Sequence, residues 1–235
     1  MVTTSAAAVL PRLQDIRRAT EQLISGLEPE DLCLQGMPDA SPAKWHLAHT
    51  TWFFEEFLLS KLEGYDCADS RWRYLFNSYY ESVGERHARP ERGLLTRPSI
   101  AEVLAWRQRV TGALMAELDR LPAALLELGL QHEQQHQELL LMDLLDGFSR
   151  NPLEPEAIAE PEADYDASWT NPGPGGWQHF EGGLVEIGLD PASDQFHFDN
   201  EAPRHRVWLE PFAVSQRLVS NGEYTAFIAD RSEEH

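Results

Sequence analysis

A mainly α fold is what this 235-residue sequence predicts: an antiparallel four-helix bundle followed by the opening of a small α+β domain. Three observations carry that expectation. Apolar residues recur at helical spacing in four stretches before residue 150. A run rich in Pro, Gly and acidic residues extends from Asn151 to Gly176. After it, short apolar stretches look like strands.

In the first stretch, Leu10, Leu13, Ile16, Leu23, Ile24 and Leu27 place a helix over residues 7–27. In "SPAKWHLAHTTWFFEEFLLSKLEG", Ser41 at the N-cap and Pro42 at the first helical position open a second helix that closes at Gly64. A third starts at Ser99 and carries Val103, Trp106, Val110, Leu114, Leu118 and Leu121 on one stripe. The fourth begins near Pro122 and runs to Gly147, which reads as the residue just past its end. Four amphipathic helices of this length make a bundle. Residues 65–98 join the second and third helices and are far longer than a usual bundle loop. Trp72, Tyr74, Phe76, Tyr79 and Tyr80 argue that this join is ordered.

The expected division is a bundle over 1–150, a linker over 151–176 and a second region over 177–235. In the last, "GGLVEIGL" and "HRVWLEPFAVS" read as strands and "SNGEYTAFI" as a capped helix. So few elements make a poor independent core, and the region reads as the incomplete start of a domain.

A net charge of −20, from 19 basic and 39 acidic residues, argues against nucleic acid or an anionic membrane as partner. No run approaches the ~18–20 apolar residues of a membrane span, and the N-terminus has no basic start of a signal peptide. Cys33 and Cys67 form no disulfide framework, which points to a reducing cytoplasm. Eight arginines fall between Arg71 and Arg109, whereas nothing from Asn151 to Pro203 is Lys or Arg. Such a positive patch fits a bound anion or salt bridging.

The stretch "HEQQHQELLLMDLLD" holds the chemistry. On a helix, His132 and His136 lie one turn apart on one face, ~6 Å along the axis, and can reach one metal ion. They share a stripe with Leu125, Gly129, Leu139 and Leu140, so they point inward. On the second helix His49 lies in line with Trp45, Trp52 and Phe53, the inner face, and is the economical third ligand. His46 is assigned a supporting or structural role, and Glu133 a helix-surface or supporting one. The pattern H-E-x-x-H also belongs to zinc peptidases, but the extended form needs Gly at 139 and His at 142, where this chain has Leu139 and Met142. Three imidazoles with open positions suit zinc or iron(II), and the ligands alone do not choose.

Several stretches together resemble one family. "SPAKWHLAHTTWFFEEFLL", "LFNSYYESVGERHARPERGLLTRPS" and "HEQQHQELLLMDLL" are similar to the DinB-like N-terminal half of the EgtB family of ergothioneine biosynthesis. "GGLVEIGL" and "FHFDNEAPRHRVWLEPFAVSQRLVSNGEYTAFI" resemble the opening of that family's formylglycine-generating-enzyme-like second domain. The resemblance implies a non-haem Fe(II) enzyme that uses O2 to join the sulfur of γ-glutamylcysteine or cysteine to C2 of the hercynine imidazole, giving a sulfoxide. By position it implies His49, His132 and His136 as iron ligands, Gln135 against the hercynine ring, and Arg86 and Arg89 on the thiol substrate's carboxylates. A related enzyme making 5-histidylcysteine sulfoxide for ovothiol shares the architecture. A DinB-like thiol S-transferase and a non-catalytic metal-binding module are the alternatives. The family's catalytic tyrosine lies beyond the end of this chain, and "VSN" at Ser220 stands where the family usually reads "VTN". Iron binding with little or no sulfoxide synthesis is therefore expected of the chain alone.

Overall fold

The computed structural model describes residues 6–157, 175–193 and 195–230. The chain is mainly α and forms two compact units, 1–161 and 162–235. Most of the expected linker, residues 158–174, lies outside the described residues.

The first unit contains α1 (Ala6–Gln22), α2 (Ala43–Phe57), α3 (Ser70–Phe76), α4 (Ile100–Ala116) and α5 (Ala123–Ser149). Helix α2 packs against both α4 and α5, and α1 closes over the same two helices. Helix α1 ends at Gln22, and Leu23, Ile24 and Leu27 reach the core from turns instead. Ser41 does not cap α2: Pro42 holds the N-cap position, while the Ser41 hydroxyl accepts from Arg92. The helix also stops short of Gly64, at Phe57, and a 3-10 turn over Leu59–Lys61 carries the chain on. The start of α4 is as expected, with Ser99 and Glu102 forming a reciprocal capping box. Its stripe of Val103, Trp106, Val110 and Leu114 is buried, and Leu118 and Leu121 continue it beyond the helix. Gly147 lies inside α5, not after it. A Cβ there would sit 2.6 Å from Leu34 Cδ2, so this glycine permits close packing and does not end the helix.

Helix α2 departs most from an amphipathic surface helix. Every residue from Ala43 to Glu55 is buried. The cause is the long join over 65–98, which is ordered and folds onto the face that would otherwise meet water. Trp45 Nε1 donates to the Leu75 carbonyl at 3.1 Å and Lys44 Nζ to the Leu95 carbonyl at 2.7 Å. Glu55 accepts from Tyr65 Oη, Trp106 Nε1 and the Ala68 backbone. Most buried polar groups of α2 are thus paired with the join, with neighbouring helices or, for Thr50 and Thr51, with the Leu47 carbonyl, while Trp52 Nε1 has no partner among the described residues. On the opposite side, Gly129 lets α5 approach: a Cβ would lie 2.5 Å from Phe54 Cε1.

The second unit contains β1 (Trp177–Phe180), β2 (Gly183–Ile187), β3 (His205–Leu209), β4 (Phe212–Ser215) and α6 (Asn221–Ala229). β1 pairs antiparallel with β4 and β2 with β3. Both pairings keep one register, Phe180 opposite Phe212 and Gly183 opposite Leu209, so they form one ribbon kinked at 181–182 and 210–211. Gly182, at φ +74°, makes the kink on one strand. Ser220 and Glu223 cap α6. None of the described residues from 175 onward is fully buried. β1 had no sequence signal strong enough to mark it, whereas both other strand regions and α6 lie where the pattern put them.

Candidate metal centre

The close packing of α2 on α5 brings three imidazoles together. His49 comes from α2; His132 and His136 come from successive turns of α5. One ring nitrogen from each lies within 4.8 Å of those of the other two. His49 Nε2 faces His132 Nε2 at 3.2 Å. His49 Nδ1 donates to the Phe76 carbonyl at 2.6 Å, which leaves a lone pair on Nε2. Two nitrogens each ~2.1 Å from one ion stand ~3.0–3.4 Å apart, so the separation suits a shared cation. His132 Nδ1 is buried without a hydrogen-bond partner among the described residues. The donor set fits a transition metal with open coordination positions.

Burial pushes the proton affinity of all three rings down. His49 is lowered by burial and then by His132, well below the ordinary histidine value despite its bond to Phe76. Burial takes His132 to about 4 and holds His136 well below normal. Each ring is therefore neutral at pH 7, the form a metal ligand requires. Trp45 stacks on His49 at 4.6 Å between centroids and Trp52 at 5.4 Å, fixing the plane of that ring.

The histidines line a cavity of about 390 Å3, within the size range of small-molecule sites. Gln135 and Arg89 reach it from α5 and from the join. Arg89 Nη1 donates to Tyr79 Oη at 2.8 Å. Arg86 does not line the cavity; it is exposed, with its guanidinium 5.6 Å from the centre of the Tyr79 ring. Arg92, which sequence reasoning passed over, does line it. Its guanidinium lies 3.4 Å over the Trp45 ring and donates to Ser41 Oγ and Ser78 Oγ. At 4 % exposure it has no carboxylate within salt-bridge distance among the described residues. Burial and the nearby Arg89 lower its pKa to about 10, so it remains a cation.

Glu133 is neither on the helix surface nor at the metal centre. It is fully buried, paired with Arg17 at 2.9 Å and with Arg107, and accepts from Thr20 Oγ1 at 2.7 Å. Burial alone would raise its pKa, but Arg107 and Arg17 dominate and hold it at about 2. A carboxylate so committed is no general base, which removes the peptidase reading. His46 lies against His136, with Nδ1 2.8 Å from His136 Nδ1 and Nε2 3.0 Å from Asp143 Oδ2. Asp143 also went unnoticed; it stands two helical turns after His136 on the same face, the spacing that could have revealed it.

The chain is similar to known proteins over most of its length. A family model described as the DinB superfamily matches residues 12–140. A hercynine oxygenase of Mycolicibacterium thermoresistibile is 30 % identical over 95 % of this chain and 48 % of its own length. A hercynine oxygenase of Mycobacterium tuberculosis is 28 % identical over 97 % of the chain and 52 % of its own. Ergothioneine biosynthesis protein 1 of Neurospora crassa is 27 % identical over 57 % of the chain and 17 % of its own length. The chain spans about half the length of the hercynine oxygenases it matches.

Proposed function

The chain belongs to the DinB superfamily, and from that premise we propose that its bundle is the iron-binding part of a hercynine oxygenase of ergothioneine biosynthesis. The reaction would join the sulfur of γ-glutamylcysteine or cysteine to C2 of the hercynine imidazole, with O2 as oxidant, to give the sulfoxide. The observation that carries the reading is the convergence of His49, His132 and His136 in one cavity with Gln135, Arg89 and Arg92. The names of the relatives, matched over nearly the whole chain, support this chemistry over others that three histidines permit.

Ferrous iron, when bound, supplies the electrons that activate O2 and a Lewis acid that favours a thiolate. The protein's part is orientation. His49, His132 and His136 would hold the ion on one side and leave the cavity side to substrates. Gln135, with both donor and acceptor on its amide, would hold the hercynine imidazole through its ring nitrogens. Arg89 would take a carboxylate of the thiol substrate, the planar fork matching it, with Arg92 adding positive potential behind it. Arg86, outside the cavity lining, would meet only a substrate that extends past Tyr79. Trp45 and Tyr80 wall the cavity with apolar surface. Fixing two reactants against one ion in this way replaces chance encounter with orientation.

The test is sulfoxide formation. The chain, alone and joined to the C-terminal half of the Mycolicibacterium relative, is loaded anaerobically with Fe(II). It is then given hercynine with γ-glutamylcysteine or cysteine, exposed to oxygen, and assayed for product by mass. Sulfoxide from the joined protein supports the reading. No product from joined protein that holds one iron per chain contradicts it.

A further inference from the structure

The chain of contacts behind His136 carries an inference of its own, which rests on the metal-centre reading above. We propose that Asp143 and His46 together fix the orientation and tautomer of His136, so that His136 offers Nε2 as its metal donor. They are positioning residues that act through another ring.

The deduction follows from counting protons. Two ring nitrogens 2.8 Å apart, His46 Nδ1 and His136 Nδ1, require one proton between them. His46 Nε2 lies 3.0 Å from Asp143 Oδ2, and a carboxylate only accepts, so that nitrogen carries the N–H. Neutral His46 then has a bare Nδ1. The proton between the two rings therefore belongs to His136 Nδ1, and the lone pair of His136 is left on Nε2. A histidine ligand whose other N–H is tied to an acceptor is oriented and made a better donor. Here the acceptor is a second histidine, oriented in turn by a carboxylate.

The supporting groups are themselves fixed. Asp143 Oδ2 also accepts from the Ser41 backbone N–H at 2.8 Å, at the turn that leads into α2. His46 is 3 % exposed, so water does not compete for its nitrogens. The relay ties the start of α2 to the last turns of α5, and so couples their relative position to the aim of one ligand. His49 has the simpler form of the same device, with Nδ1–H on the Phe76 carbonyl.

Two measurements test the proposal without activity. In the metal-free wild-type chain, imidazole 15N shifts should show His136 protonated at Nδ1 and bare at Nε2. Titration with Co(II) should then show weaker binding in Asp143→Ala and His46→Ala by ~10–100-fold, with altered ligand-field bands. Asp143→Asn, whose amide oxygen still accepts from His46, should recover most of that loss. A wild-type His136 protonated at Nε2 would overturn the proposal, and so would variants that bind Co(II) as tightly as wild type. Because the shifts are read on the wild type, the proposal stays testable if a variant fails to fold. His49→Ala is the control that separates the two readings. If it binds Co(II) as wild type does, the metal centre itself is wrong; if it loses Co(II) while Asp143→Ala does not, only the relay is wrong.

Discussion

Arg92 is a cation taken out of water with no carboxylate within salt-bridge distance among the described residues, a costly arrangement unless stacking, hydroxyls or a ligand anion offset it. The Trp45 face and two serine hydroxyls supply part of that compensation. Under the proposed function the substrate carboxylate supplies more. Arg92→Gln removes the positive potential behind Arg89, and should weaken binding of γ-glutamylcysteine or cysteine to the Co(II)-loaded chain by ~10-fold or more. Calorimetric titration checks this; unchanged affinity would make Arg92 a purely structural cation. The three histidines were legible in the sequence because i, i+4 spacing and the inner stripe of α2 are properties of single helices. Arg92 was not. Its position depends on how a join folds back over α2, and no local period records that.

At the scale of the elements, the site depends on how closely α2 and α5 approach. Gly129→Ala would push a methyl into Phe54, beside Phe53 and so close to His132. The expected cost is ~1–3 kcal/mol of stability, read as a lower urea midpoint. A variant as stable as wild type would show that the two helices have room to spare. Ser99→Ala removes the hydroxyl half of the α4 capping box and should cost ~1 kcal/mol, with the centre untouched because Ser99 lines no part of the histidine cavity. The α4 start could be read because Ser99 and Glu102 act locally. Ser41 has the same residue type, yet Arg92 claims its hydroxyl, so a tertiary contact overrides the local signal. Gly147 misled for a related reason: it serves packing against Leu34, which resembles a helix end only in sequence.

At the scale of the whole bundle, Glu133 joins helices that the sequence reading kept apart. Arg17 from α1, Arg107 from α4 and Glu133 from α5 form one buried cluster, with Thr51 of α2 accepting from Arg17. Glu133→Gln leaves two buried guanidinium groups facing a neutral amide and should destabilise the bundle by ~3–5 kcal/mol. The same cluster sets an acid limit. The folded pKa of Glu133, about 2, lies below its unfolded value of ~4.3, so its contribution is full above that value. It is lost as pH falls through 4 toward 2. Denaturant midpoints measured from pH 6 to pH 3 should therefore fall more steeply for wild type than for Glu133→Gln. The residues on which this cluster rests are far apart in the chain, which is why a charged residue inside an H-E-x-x-H pattern read as surface or support. The second unit shows the converse: β2, β3, β4 and the α6 cap were local features and were read in place, though β1 was not, while its described residues enclose no core.

The proposed function turns on one ion shared between α2 and α5. Metal analysis after anaerobic Fe(II) loading and desalting addresses it directly, with wild type, His49→Ala and His87→Ala side by side. His87, on the join, bonds the Glu91 carbonyl and is no part of the histidine cluster. One iron per chain in wild type and His87→Ala, with little in His49→Ala, is the predicted result. Equal iron in all three would contradict it.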